Sequence, residues 1–572
     1  MFKYLTLFIS SSALQLVYLI WAFILPHSCK LFADSAPCEE YSCDSLTVRM
    51  ILDTNGLPDI AVETISEVTD GRITSLKFGK ISYLPPEIGK LTALTSLDLG
   101  SNKLTSLPPE IGLLILLKNL FLEDNMISTI PPEIGQCTAL LNLRLGANQL
   151  TSLPPEIGKL KALLTLDIAG NRINALPPEI GNLSSLTLFY LQSNKITTLP
   201  STIGQLSVLK QLIIRNNNLT SVPPEIGNLS DLTELVLEVN QLTSLPEELG
   251  KLSKLSRLYV SYNQFTTIPH VVYSLSTLDE LSFGFNQLTS IQPEIGNLSN
   301  LTLLALSGNR LSSLPAEIGN LARLLILQLD MNKIASLPAE VGNLTFLNQL
   351  YCRANQLSTL PSEIGNLSNL AALFLDTNRL ESLPPELGNI QTLTRLSVRC
   401  NNLTKLPAET GQMTDLKYLY LDNNRLETLP VEILGLSELI GLFVKYNRLC
   451  SVPDTIKKWI DANSSDATWY EFQQLDDTHF CDGSLSVQYP VAMSQCTPEF
   501  KVLCNPAMKT VTMFFDKSNS ITTVSMYSLN GSVLKRKTCS GSITFDLAGL
   551  SKGVYTIKVT MKNSTVYRKL LW

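Results

Sequence analysis

Histidine is almost missing from this 572-residue chain: His27, His270 and His479 are the only three. That leaves little material for imidazole-based acid–base chemistry or metal binding. Charge is sparse as well, at 16% Asp, Glu, Lys and Arg, against ~25% in ordinary soluble domains. The net charge is −6 and no basic run occurs. Sequence-blind nucleic-acid binding needs Lys and Arg gathered on one face to neutralise phosphates, so nucleic acid is set aside as a partner. No nucleophile–base pair, phosphate-cradling loop or cysteine pair at metal-ligand spacing with a nearby histidine is visible. Neither a cofactor nor catalysis is expected.

What the chain has instead is a period. Asparagine recurs at an unbroken 23-residue spacing: Asn102, Asn125, Asn148, Asn171, Asn194, Asn217, Asn240, Asn263, Asn286, Asn309, Asn332, Asn355, Asn378, Asn401, Asn424 and Asn447. A fixed period in this range marks a solenoid, in which each unit packs only on its neighbours and no single large core is needed. One unit reads LTSLDLGSNKLTSLPPEIGLLIL from Leu94. Leu97 and Leu99 alternate with Ser96 and Asp98, the period-2 pattern of a strand with one buried face. The asparagine amide carries two donors and an acceptor, so it is expected to satisfy turn backbone groups at the end of each strand. Pro108-Pro109-Glu110 then opens a short helical or 3₁₀ turn, with Pro at the first helical position and a carboxylate at its positive end. Gly112 is expected to close the turn in a left-handed conformation. Glu110 and its counterparts read as caps, not calcium ligands, because one loop does not supply several oxygens to one ion.

The skeleton L-x-x-L-x-L-x-x-N-x-L-x-x-L-P-x-E-I-G-x-L resembles the leucine-rich repeat family in its 23-residue class. The resemblance spans residues 73–452, about 17 copies. It implies an α/β solenoid, a horseshoe with a parallel sheet on its concave face. Two copies deviate. The first, ITSLKFGKISYLPPEIG, is two residues short and carries Gly79 and Lys80 at the asparagine turn, as befits a terminal capping unit. The copy around Pro269 reads IPHVVYSL, without the Glu and the Gly, and suggests a local bend or a contact point.

Sheet residues facing away from the core are free to vary, so partner information belongs there. Four places before the ladder asparagine, the column is aromatic at Phe121, Tyr190, Tyr259, Tyr351, Phe374, Tyr420 and Phe443, and Tyr446 adds to it further along. Exposed aromatics give large contact area at small entropic cost and are enriched at interfaces. Stacking between rungs would also stabilise the sheet. These eight residues form the candidate partner-binding set. Two places before the asparagine, Asp330, Arg353, Asp376, Arg399, Asp422 and Lys445 alternate in sign. They are expected to form a structural salt-bridge ladder, each exposed pair worth ~0.2–1 kcal/mol.

Both ends break the period. One Lys precedes an apolar stretch from Tyr4 to Leu25, followed by the small residues Ala33 and Ser35. This predicts a cleaved signal peptide over residues 1–33, leaving no stable transmembrane span. A retained anchor is the alternative, set back by Ser10, Ser11, Ser12 and Gln15. The 11 cysteines suit an exported chain. Residues 34–72 resemble the N-terminal cap of secreted leucine-rich repeat proteins, with Cys38–Cys43 a possible disulfide. Residues 453–483 read as a C-terminal cap, built from a helix (Thr455 to Ala462) and a Trp/Tyr/Phe plug, with Cys450–Cys481 as a possible staple. Such caps are needed because an open solenoid end exposes apolar core. Residues 484–572 alternate apolar and polar between turn residues, the mark of a small antiparallel β-sandwich. The pattern at Asn505-Pro506, Leu529-Asn530-Gly531, Leu547 to Leu550, Gly553-Val554-Tyr555 and Lys569 resembles the C-terminal sorting domain of type IX secretion substrates in Bacteroidetes-like bacteria. That resemblance implies transient contact with secretion machinery, export across the outer membrane, and release or anchoring at the surface.

Together these readings predict a secreted or surface-displayed, non-enzymatic protein that recognises a protein or glycan on its concave face. A structural or adhesive surface component is the alternative class. A plant-type receptor ectodomain is a further one, set back by the bacterial look of the C-terminus.

Overall fold

The computed structural model describes residues 38–466 and 468–473, together with seven strands lying between residues 500 and 571. The expected signal peptide, Cys481 and most of the sorting-domain turn residues lie outside the described residues. The chain divides into two units, residues 1–265 with 269–278, and residues 266–268 with 279–572. The division falls at the divergent copy around Pro269.

The first unit opens with helix α1 (Tyr41–Thr54), whose Cys43 is joined to Cys38 by a disulfide. Asp44 is fully buried in the first turn of α1. It accepts both arms of the Arg72 guanidinium at 2.9 and 3.1 Å and the Ile73 amide at 2.8 Å. A buried carboxylate is tolerated only when paired and hydrogen-bonded, and here the pairing latches the helix to the first repeat strand. The strand Ser66–Thr69 runs antiparallel to Arg72–Lys77. From Arg72–Lys77 onward every pairing in this unit is parallel and in register, ending at Arg257–Tyr259.

Each repeat contributes a three-residue strand and a five-residue 3₁₀ turn, such as Ser96–Asp98 and Pro109–Leu113. Leu97 and Leu99 are fully buried. The ladder asparagine closes the strand. Asn102 Nδ2 donates to the carbonyls of Phe78, Leu99 and Gly100 at 2.9–3.0 Å, and its Oδ1 accepts the Ile81 amide at 2.7 Å. One side chain thus satisfies backbone groups of its own repeat and of the one before it.

The turn glycine has a different reason from the one expected. Gly112 is not left-handed. The left-handed residue stands just before the asparagine, as at Ser101 with φ 54°. A Cβ on Gly112 would lie 2.5 Å from the carbonyl oxygen of Glu133 in the next turn. The glycine lets consecutive turns close-pack. In the divergent copy this contact loosens: a Cβ on Gly250 would meet Ser274 and Val271 side-chain atoms at 3.2 and 3.3 Å.

In the second unit the parallel strands run from Glu280–Ser282 to Gly441–Phe443. Helix α2 (Asp454–Asn463) then covers the end. Trp469 is buried, and its indole donates to Asp461 at 2.8 Å, while Tyr470 is 41% exposed. Cys450 is disulfide-bonded; its expected partner Cys481 lies outside the described residues. The remaining strands form two antiparallel sheets. One joins Phe500–Asn505, Thr510–Phe515 and Ser542–Asp546. The other joins Val533–Lys537, Ile521–Tyr527, Val554–Met561 and Thr565–Leu571. No helix among the described residues is long and apolar enough to cross a membrane.

Candidate functional site

Identical spacing puts equivalent residues of successive repeats side by side on the open face of the ladder. Tyr351 pairs with Phe374, and Tyr420 with Phe443. Their rings stack at centroid separations of 4.9 and 4.6 Å, tilted by 17° and 16°. All four are half-buried. Tyr418, on the same strand as Tyr420, lies 6.3 Å from it and nearly parallel.

Each ring pair is flanked by one arginine. The Arg353 guanidinium stands 5.2 Å from the centroids of both Tyr351 and Phe374. Arg399 stands 4.3 Å from Tyr420 and 5.2 Å from Phe443. Both arginines are held by carboxylates, Arg353 by Asp330 at 2.8 Å and Arg399 by Asp422 at 2.9 Å. The alternating charges therefore do more than brace the sheet, because they fix cations against rings.

The charge ladder itself is not uniform. Arg353 reaches back one rung and Arg399 reaches forward. Lys445 turns to Asp466, beyond α2. Among the described residues, Asp376 has no cation in direct contact. Its Oδ1 accepts the Ser397 hydroxyl and, at 2.9 Å, the Arg399 backbone amide. Burial pushes the Asp376 carboxyl above the usual range, opposed by these hydrogen bonds and by the charges of Arg399 and Arg353. Asp422 is raised for the same reason, opposed chiefly by Arg399.

The other predicted aromatics are not gathered. Phe121 has Arg144 at 5.1 Å and no stacked ring at the next rung, where Arg144 itself stands. Tyr190 donates to Gln211 at 3.2 Å, and burial, then the carboxylates of Asp167 and Glu234, raise its phenol. Tyr259 ends the last strand of the first unit. Tyr446 is not on a strand. It takes the left-handed turn position, φ 57°, after the strand Gly441–Phe443, because it directly precedes Asn447. The residues missing from the predicted set are Arg353, Arg399, Tyr418, Arg395, Ser397 and Asp376. Their signal was available, since each shares a rung with a predicted aromatic or stands between two of them.

Comparison with known proteins agrees with this geometry. Residues 132–218, 201–312 and 315–402 match the family described as leucine-rich repeat region, and residues 391–449 and 93–114 match two further leucine-rich repeat families. Residues 501–572 match the secretion system C-terminal sorting domain. Among solved structures, the chain is similar to a leucine-rich repeat protein of Leptospira interrogans, at 36% identity over 69% of this chain and 94% of that one, with a TM-score of 0.60. It is also similar to a TDR receptor, at 28% identity over 66% of this chain and 72% of that one, with a TM-score of 0.53. No curated protein sequence matches it.

Proposed function

We propose that this chain, which belongs to the leucine-rich repeat family and carries a sorting domain for export to the outside of the cell, is a non-enzymatic binding protein for a protein ligand. The observation that carries the reading is the pair of arginine-flanked ring stacks, Tyr351/Phe374 and Tyr420/Phe443, on the open sheet face. Tyr and Arg dominate binding hot spots. Rings and guanidinium groups already fixed by stacking and by Asp330 and Asp422 lose little further freedom when a ligand docks, so more of the contact energy appears as affinity. The likeness to a receptor of the same fold supports the reading.

The same proposal assigns residues 1–33 to a removed signal, 34–72 and 453–483 to caps, 73–452 to the recognition array and 484–572 to sorting or anchoring. Mass spectrometry of the secreted protein would show which ends are removed and what co-purifies with it. The binding claim is tested by the affinity of a co-purified protein for the Tyr351→Ala/Phe374→Ala double variant. A loss of about tenfold or more is expected, each tenfold being ~1.4 kcal/mol. An unchanged affinity removes this patch.

A second reading has one observation behind it. Leu113, Ile115 and Leu116 are 52%, 56% and 52% exposed in one repeat, at the end of its 3₁₀ turn and just beyond it. An apolar flank of this kind suits an adhesive or structural role that leaves the open face unused.

A further inference from the structure

We propose that the rung at Ser397 is a slot for a tyrosine side chain of the protein ligand, a ring missing from an otherwise continuous stack. The proposal rests on the reading of the open face as a binding surface. The column runs Tyr351, Phe374, Ser397, Tyr420, Phe443, each in register with the next. Adjacent rungs are ~4.8 Å apart, in line with the 4.9 and 4.6 Å ring separations on either side. Phe374 and Tyr420 are therefore about 10 Å apart, two rungs. A flat group needs ~3.5–4 Å on each face, so one ring fits midway between them.

The arginines do not fill the place. Arg399 lies 4.3 Å from Tyr420 and 5.2 Å from Phe443. In the slot it would be farther from Phe443 by nearly a whole rung. Arg353 is equidistant from Tyr351 and Phe374 and so flanks that pair rather than capping it. Arg395 is drawn to Tyr418, 5.5 Å away in the next column. Ser397 is only 4% exposed, but Ser282 and Ala305, which neighbour each other in the same column, are each at 8%. Small residues in this column are buried even beside small neighbours, so the value reflects the depth of the floor.

The floor has a free acceptor. The Ser397 hydroxyl and the Arg399 amide both go to Asp376 Oδ1, and Oδ2 accepts nothing among the described residues. A carboxylate oxygen without a hydrogen bond, beside a ring-sized gap, calls for a ring carrying a donor. Arg353 and Arg399 are each paired with a carboxylate, Asp330 and Asp422, and Arg395, which shares its strand with Ser397, has no carboxylate partner among the described residues. The three arginines are matched in number by Asp330, Asp376 and Asp422, so the surroundings are close to neutral and a neutral phenol is buried there at less cost than a ligand guanidinium.

The test uses N-acetyl-tyrosinamide as probe, read by saturation-transfer NMR on the intact protein. Binding is expected, about tenfold weaker for N-acetyl-phenylalaninamide, which lacks the donor, and absent for N-acetyl-leucinamide. Ser397→Tyr should complete the stack, abolish probe binding and raise the melting temperature. Should that variant not fold, Asp376→Asn should shrink the preference for tyrosinamide over phenylalaninamide severalfold. Equal binding of leucinamide, stronger binding of N-acetyl-argininamide, or binding unaltered in Ser397→Tyr overturns the slot. With a co-purified partner, Ser397→Tyr without effect beside a weakened Tyr351→Ala/Phe374→Ala overturns the slot and keeps the binding face. No effect from either variant overturns the binding face itself.

Discussion

Gln473 does for the end of the array what Asn447 does one rung earlier. Asn447 Nδ2 donates to the carbonyls of Leu421 and Val444 at 2.9 and 3.1 Å, and its Oδ1 accepts the Leu426 amide at 3.1 Å. Gln473 Nε2 donates to that same Val444 carbonyl at 2.9 Å, and its Oε1 accepts the Leu449 amide at 3.2 Å. These are the bonds the next ladder asparagine would make. Gln473 stands 26 residues after Asn447 rather than 23, and it is fully buried.

Gln473→Ala should therefore behave like a ladder mutation. It leaves a buried amide and a buried carbonyl short of partners, at a cost of ~1–3 kcal/mol. Asn263→Ala, which removes bonds to Leu237, Val260 and Leu242, should cost about the same. Chemical denaturation of both variants checks this, and a wild-type midpoint in either contradicts the ladder account.

The contrast between these two residues shows what the sequence could reveal. Asn263 was legible because it keeps the period, and so were the strand leucines and the aromatic columns around it. Gln473 was not, because it lies three residues out of step and a longer side chain makes up the difference. Gly112 was legible as necessary but not for its reason, since close approach of the next turn is a relation between repeats. The direction of Arg399, forward to Asp422 and not back to Asp376, is also a packing outcome that alternating charges leave open. Tyr446 was placed beside the strand aromatics because sequence offset does not reveal a left-handed turn.

The glycine contacts make a paired prediction. Gly112→Ala forces a methyl group against the Glu133 carbonyl and should cost ~1–3 kcal/mol by overpacking. At Gly146 the nearest atom to an added Cβ is an Asp167 carboxylate oxygen at 3.4 Å. Gly146→Ala should change the melting temperature little. Equal losses in both variants would contradict the close-packing account.

Thr410 occupies a buried turn position held by Ile in most copies, and its hydroxyl has no hydrogen-bond partner among the described residues. A buried hydroxyl without a partner costs ~1–3 kcal/mol. Thr410→Val should accordingly stabilise the protein, seen as a higher denaturation midpoint. A lower midpoint would mean that the hydroxyl has a partner after all.

Asp376 gives stability a pH dependence. Burial raises its carboxyl in the folded protein, so the folded state holds that proton more tightly than the unfolded chain. The stability term is then most favourable below the unfolded value of ~3.9 and is lost as pH rises through the folded value. Asp376→Asn should raise the melting temperature at pH 7 and flatten its fall above about pH 4. A variant less stable than wild type at pH 7, yet equal at pH 4, would reverse the sign.

The most direct test of the binding face is calorimetric titration of a co-purified protein against wild type and a variant with Tyr351, Phe374, Tyr420 and Phe443 all changed to Ser. Melting curves would first confirm that the variant is folded. The account predicts an affinity loss of about a hundredfold or more, as expected when hot-spot rings are removed together. An affinity within a factor of about two of wild type, far less than one hot-spot residue contributes, would contradict it.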